Sequence, residues 1–170
     1  FYSSGHRTGF TDDHCMYSYR NTRAHNSILV NGMTQKIGTE GYGWIPRWYE
    51  GEKIAYMVGD ASNAYGKVTS PLWLKRGELS GTPEKGWDEN KLNMFRRHII
   101  QLGSTGVFVI YDELEGKEAV TWSYLLHTVE LPMEIQELTD EVKVTGRNKA
   151  GGISVAHLFS SAKTEQAMVD

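Results

Sequence analysis

MFRRHIIQLGSTGVFVIYDEL, residues Met94 to Leu114, decides the fold. Two strand-length runs, Met94–Leu102 and Gly106–Leu114, flank Gly103-Ser104-Thr105. Runs rich in β-branched and aromatic residues on either side of a short glycine-bearing turn read as a β-hairpin. Val107 to Ile110 is apolar at every position, which predicts a strand sandwiched between two layers.

The pattern continues outward in both directions. Toward the C-terminus come Val120–Thr128 (VTWSYLLHT), Met133–Leu138, Val142–Val144 and Ile153–Phe159, separated by turns at Asp140-Glu141 and Gly146–Gly152. Toward the N-terminus, Lys53–Val58 is a strand with Ile54, Tyr56 and Val58 on one face, followed by a turn over Gly59–Tyr65. Lys36–Tyr49 sets Tyr42, Trp44, Trp48 and Tyr49 among glycines and Pro46, too irregular for a helix. Val68–Asn90 is broken by Pro71, Gly77, Gly81, Pro83 and Gly86, and is expected to be an exposed excursion that protease attacks first. Phe1–Met16 reads as a loop. Its Asp12-Asp13-His14-Cys15 run is no metal site by spacing, because neighbours in extended chain point to opposite faces. Nothing sustains a helical period over three turns. Many short strands with glycine-rich turns argue an all-β protein, an antiparallel β-sandwich, with residues 1–170 as a single domain.

Composition narrows the function classes. A net charge of −3 carries no electrostatic footprint for nucleic acid. No apolar run reaches the length of a membrane-spanning helix, so neither nucleic acid nor membrane is an expected partner. The lone Cys15 excludes a disulfide within the chain. There is no G-x-S-x-G, phosphate loop or C-x-x-C. His98, His127 and His157 lie within strands among apolar neighbours and are expected to be structural. Trp44, Trp48, Trp73 and Trp87 could stack on sugar rings, although tryptophans of a sandwich are more often core or interface.

Chemistry concentrates in YRNTRAHNSILVNG, Tyr19 to Gly32. Arg20, Asn21, Thr22 and Arg23 lead into Ala24-His25-Asn26. The apolar strand Ser27–Val30 follows and closes on Asn31-Gly32, a pair that tolerates positive φ and signals a hairpin. His25 and Asn26 therefore stand at the mouth of a well-specified strand, where a ligand-contacting side chain is held rigidly.

With Gln35, this stretch resembles the T-x-AHN-(T/S)-(apolar)-NG-x-x-Q signature of the heparinase II/III-like polysaccharide lyases. The likeness is close over Tyr19–Gln35 and looser elsewhere, in Gly59–Tyr65 and in the Trp122–His127 strand. Phe1–Gly5 resembles the tail of the family's Asp-x-Gly-Tyr-Tyr segment. The resemblance implies that His25 is one of three protein ligands of a zinc ion. It places the other two, a His and an Asp, upstream of Phe1. It implies a substrate contact at Tyr2, for which a packed aromatic at a strand end is the alternative. Asn26 and Arg20 or Arg23, next to His25, are further candidates because arginine forks suit carboxylate and sulfate, although a solvated face is the commoner fate of such residues. The resemblance assigns no catalytic residue to this chain. The expected parent is a larger (α/α) toroid plus β-sandwich lyase, periplasmic or secreted, with the N-terminal helical domain as intrachain partner. Such an enzyme cleaves an acidic, uronic-acid-containing polysaccharide by β-elimination. Two other identities fit the residues: a carbohydrate-binding or structural β-sandwich module, and a uronyl C5-epimerase.

Overall fold

The computed structural model describes residues 22–36, 38–72, 89–127, 131–162 and 165. Nine strands dominate them: β1 (Ile28–Val30), β2 (Trp44–Glu50), β3 (Ile54–Asp60), β4 (Leu92–Leu102), β5 (Phe108–Gly116), β6 (Trp122–Tyr124), β7 (Glu134–Glu137), β8 (Val142–Arg147) and β9 (Ile153–Leu158). Two single-turn 3-10 segments, Thr22–Ala24 and Gly38–Glu40, accompany them, and Pro71 and Leu72 have helical geometry. All strand pairings are antiparallel, so the protein is all-β and sandwich-like as expected.

The chain forms two compact units, divided after Leu125. The larger holds a four-stranded sheet, β2-β3-β4-β5, and a two-stranded sheet, β1-β6. Ile28, Val30 and Met33 pack with Ala64, Tyr65, Val68, Leu92 and Phe95, with Leu114, Val120 and Trp122 closing the edge of this core. The smaller unit is the meander β7-β8-β9, with Val144 buried. Arg147 lies 3.4 Å from Glu134 across two of its strands.

The β4–β5 hairpin is the longest ladder, running from Leu92↔Gly116 to Gln101↔Phe108. Gly103 and Gly106 take positive φ in its turn (51° and 75°), and Leu102 N–H donates to Val107 O at 3.1 Å. The expected burial of 107–110 is not observed: Val107 to Ile110 are exposed. The cause is length. Three residues of β1 or β6 span about 10 Å, whereas the eleven of β4 span roughly 35 Å. The small sheet covers the base of the hairpin and not its tip.

Three further segments differ in detail from the reading of the sequence. Lys36–Tyr49, read as too irregular for a helix, ends in β2, an edge strand whose register shifts between Trp44 and Arg47, around Pro46. Proline lacks the N–H that a central strand needs, which confines it to edges and irregularities of this kind. Asn31-Gly32 does make a tight turn (φ 52° and 74°), but only the Val30↔Met33 bridge follows it. The partner of β1 is instead β6, with Leu29 opposite Ser123. Asn31 locks that pairing: its N–H donates to Thr121 O and its Oδ1 accepts from Thr121 N–H, both at 2.8 Å. Finally, the described start of Val68–Asn90 is anchored. Val68 is buried, and the Glu40 carboxylate accepts from the N–H groups of Thr69 (2.7 Å) and Ser70 (2.5 Å). The Thr69 N–H bond chiefly, with that from Ser70, lowers the Glu40 pKa although burial opposes it. The interior of this segment, 73–88, lies outside the described residues.

Candidate functional site

His25 follows one 3-10 turn. Its N–H donates to Thr22 O at 3.1 Å, and its carbonyl accepts from Ser27 N–H at 2.8 Å. A lone turn of this kind is weak by itself. Contacts far along the chain reinforce it. Thr22, buried, accepts the Gln35 N–H on its hydroxyl at 2.9 Å, and Ser27 O accepts from Leu125 N–H at 2.8 Å. The motif's His25 and Asn26 are thus half-buried on a braced bend that leads straight into buried β1.

Beneath this bend lies a polar cluster. Arg97, on β4, makes a two-pronged pair with Asp112 on β5: Nε to Oδ1 at 2.7 Å and Nη2 to Oδ2 at 2.8 Å. Its remaining edge donates from Nη1 to the Asn26 carbonyl at 2.9 Å. The guanidinium carbon is 5.8 Å from the Phe95 ring centre and 5.5 Å from that of Tyr124. These distances are within cation–π range. Side-chain exposures are 19% for Arg97 and 11% for Asp112, so the pair is largely removed from water. Burial alone would lower the Arg97 pKa, but the Asp112 hydrogen bond and charge outweigh it and hold the guanidinium above its ordinary value. Tyr65, fully buried, donates its hydroxyl to Ile28 O and accepts from Gln35 Nε2 at 3.3 Å. Burial raises its pKa and outweighs its hydrogen bonds and the nearby Arg97 charge. Burial likewise raises the Tyr124 phenol, with Arg97 opposing.

The implied site residues separate into two groups. Tyr2 and Arg20 lie outside the described residues, as do Cys15, Trp73 and Trp87. Arg23, His25 and Asn26 come together on the bend. Arg23 is exposed and donates from Nη2 to Gly32 O at 2.5 Å, spanning the strand from its entry to its turn. No group of three His, Cys, Asp or Glu side chains able to hold a metal occurs among the described residues. One imidazole suits zinc as a single ligand, and a zinc site needs at least three from the protein. His25 therefore fits the ion only as a contributor to a site completed from outside the described residues.

His98 and His157 are engaged in the sheets, whereas His127, expected within a strand, lies beyond β6, which ends at Tyr124. His98 sits between the Tyr56 hydroxyl (Nδ1, 2.8 Å) and the Glu113 carboxylate (Nε2, 2.9 Å). An ionised carboxylate can only accept, so Nε2 is the donor in the Glu113 pair. His157 Nδ1 lies 3.0 Å from Glu141. Trp44 and Trp48 are exposed, whereas Trp122 packs against the core.

Arg97, Asp112, Tyr65 and Tyr124 are the participants that motif reading overlooked. The Arg97 signal was present: it alternates with Phe95 and Ile99 on a core-facing side of β4, where a charge needs a partner. That partner, Asp112, is directly opposite in the hairpin register. No family model matches the chain, and no curated protein matches it either.

Proposed function

We propose that this chain is the β-sandwich wall of a polysaccharide lyase acting on uronic-acid-containing chains, with His25 as one protein ligand of a zinc ion. One observation carries the proposal: the Ala24-His25-Asn26 motif lies on a braced, half-buried bend entering a buried strand. Such a bend holds a donor atom in a fixed place, as a metal ligand requires. Arg23 and Asn26 flank it with groups suited to sugar carboxylates and hydroxyls.

In β-elimination the uronate carboxylate is neutralised, a base removes the C5 proton, and the O4 leaving group departs with a proton. Zinc, when bound, supplies positive charge beside the substrate and cross-links the segments that ligate it. This chain's contribution is to orient His25 and Asn26 and to present Arg23. The base and acid come from the helical domain of the parent.

The test is His25→Ala in the full-length protein. Zinc content and thermal stability are expected to fall together, because the free energy of metal binding is part of that of folding. The absorbance of the unsaturated uronate product should fall with them. Zinc content and stability indifferent to the substitution would end the proposal.

A further inference from the structure

We infer that Arg97, clamped by Asp112, is a positioning residue that sets where the His25–Asn26 bend sits. The inference rests on the reading of His25 given above and adds the device that orients it. Arg97 reaches the bend from 71 residues away in the chain, through Nη1 and the Asn26 carbonyl at 2.9 Å. A guanidinium is a rigid plane. Once Nε and Nη2 are fixed on the two oxygens of Asp112, the direction of Nη1 is fixed as well. The Asn26 carbonyl is then held at a set distance from the longest ladder of the fold, the β4–β5 hairpin. That carbonyl lies one residue beyond His25 and one before Ser27, whose N–H returns to the His25 carbonyl. Movement at Asn26 would therefore be felt at the imidazole.

A lysine at this position keeps the positive charge and the apolar stem but has no fork, so it pairs with Asp112 as a point charge and aims at nothing. Arg97→Lys consequently separates positioning from packing. The control is Arg96→Lys, one residue along. Arg96 points to the opposite face of β4 and bonds Asp60 at 3.0 Å.

Hydrogen exchange by mass spectrometry on the intact protein supplies the test, with zinc affinity read in parallel. Arg97→Lys is expected to speed exchange of the peptide holding the His25 and Ser27 amides by about tenfold or more, because a charged hydrogen bond to the bend is lost. The β4–β5 peptides should keep their wild-type rates. Zinc affinity is expected to fall about 10- to 100-fold, the usual effect of removing a group that orients a ligand. Arg96→Lys should change neither. Unaltered exchange at His25 and Ser27 would overturn the inference, as would acceleration spread equally over β4 and β5, the mark of a merely structural role. Should Arg97→Lys fail to fold, Asp112→Asn releases one prong of the clamp and is judged by the same peptides. A wild-type protein that binds no zinc, with exchange at the bend still responding to Arg97→Lys, would sink the lyase reading and leave the positioning role standing.

Discussion

The two ends of the four-stranded sheet are built from similar residues and meet different surroundings. At the anchored end, Phe95 is 3% exposed, with Leu92, Tyr65 and Val68 in the same core. Asp60, Arg97 and Asp112 each have charged partners there. At the free end, Phe108 on the neighbouring strand is 56% exposed, and Trp48, Ile54 and Ile110 are exposed too. Strand propensity and ladder hydrogen bonds serve both ends equally. The difference is a covering layer, and β1 and β6 are too short to provide one beyond the base of the hairpin. Side-chain burial, and not strand formation, thus distinguishes the two ends and places the candidate site at the anchored one.

The largest expected contrast is between two phenylalanines. Phe95→Ala removes a ring from the core and should cost about 3–5 kcal/mol, since transfer and cavity terms add. Phe108→Ala should stay within about 0.5 kcal/mol, as surface substitutions do. Urea unfolding of both variants measures the difference. Equal costs would mean that the free end is covered in solution and would break the comparison.

A pair of tyrosines sharpens it. Tyr65→Phe deletes the hydroxyl that bridges Ile28 O and Gln35 in the core, leaving buried polar groups unmatched at about 1–3 kcal/mol. Tyr111→Phe alters an exposed residue and should be within about 0.5 kcal/mol of neutral by the same urea measurement.

Backbone strain should be indifferent to the two ends. Gly32, beside the core, has φ +74° with nothing within 4 Å of an added Cβ, and Gly103, at the free tip, has φ +51° with only Lys53 O at 3.5 Å. Neither alanine would clash, so each substitution costs only the left-handed conformation, about 1–2 kcal/mol. Thermal midpoints lowered equally by Gly32→Ala and Gly103→Ala are the expected result. A cost confined to Gly32 would show that its turn does more than reverse the chain.

Why so much of this was legible follows from which signals are local. Strand periodicity and turn chemistry act over a few residues, so the runs around Met94–Leu114 and the Asn31-Gly32 turn could be read directly. The partner of β1 could not: the pairing of Leu29 with Ser123 spans the whole larger unit. The exposure of 107–110 was misread for a related reason, because an apolar run states what a strand could bury and not whether a layer reaches it. At the site, His25 and Asn26 carried a recognisable motif. Arg97 and Tyr65 did not, since their roles exist only once β4 and the turn after β3 lie beneath the bend.

The smallest expected effect concerns the charge at the end of β3. Asp60 is 5% exposed. Its Oδ1 accepts from Ser62 N–H (3.0 Å) and Ser62 Oγ–H (2.7 Å), and its Oδ2 from Arg96 Nε (3.0 Å). Burial pulls its pKa upward, but the Ser62 bonds and the Arg96 charge outweigh burial and leave it below the ordinary aspartate value. A carboxylate depressed in the folded state binds its proton more readily when unfolded. It therefore stabilises the fold fully above about pH 3.9, the unfolded value, and loses that contribution as pH falls through the lower folded one. Asp60→Asn abolishes the titration while keeping one acceptor oxygen. Its unfolding free energy should be lower than wild type at neutral pH, with the gap closing as pH drops below about 3.9. Glu134→Gln provides the contrast: Glu134 and Arg147 are both solvent-exposed, and exposed pairs contribute little. A gap for Asp60→Asn that persists unchanged into acid would show that its oxygens act as neutral acceptors, and that the charge on Arg96 contributes nothing to closing the anchored end.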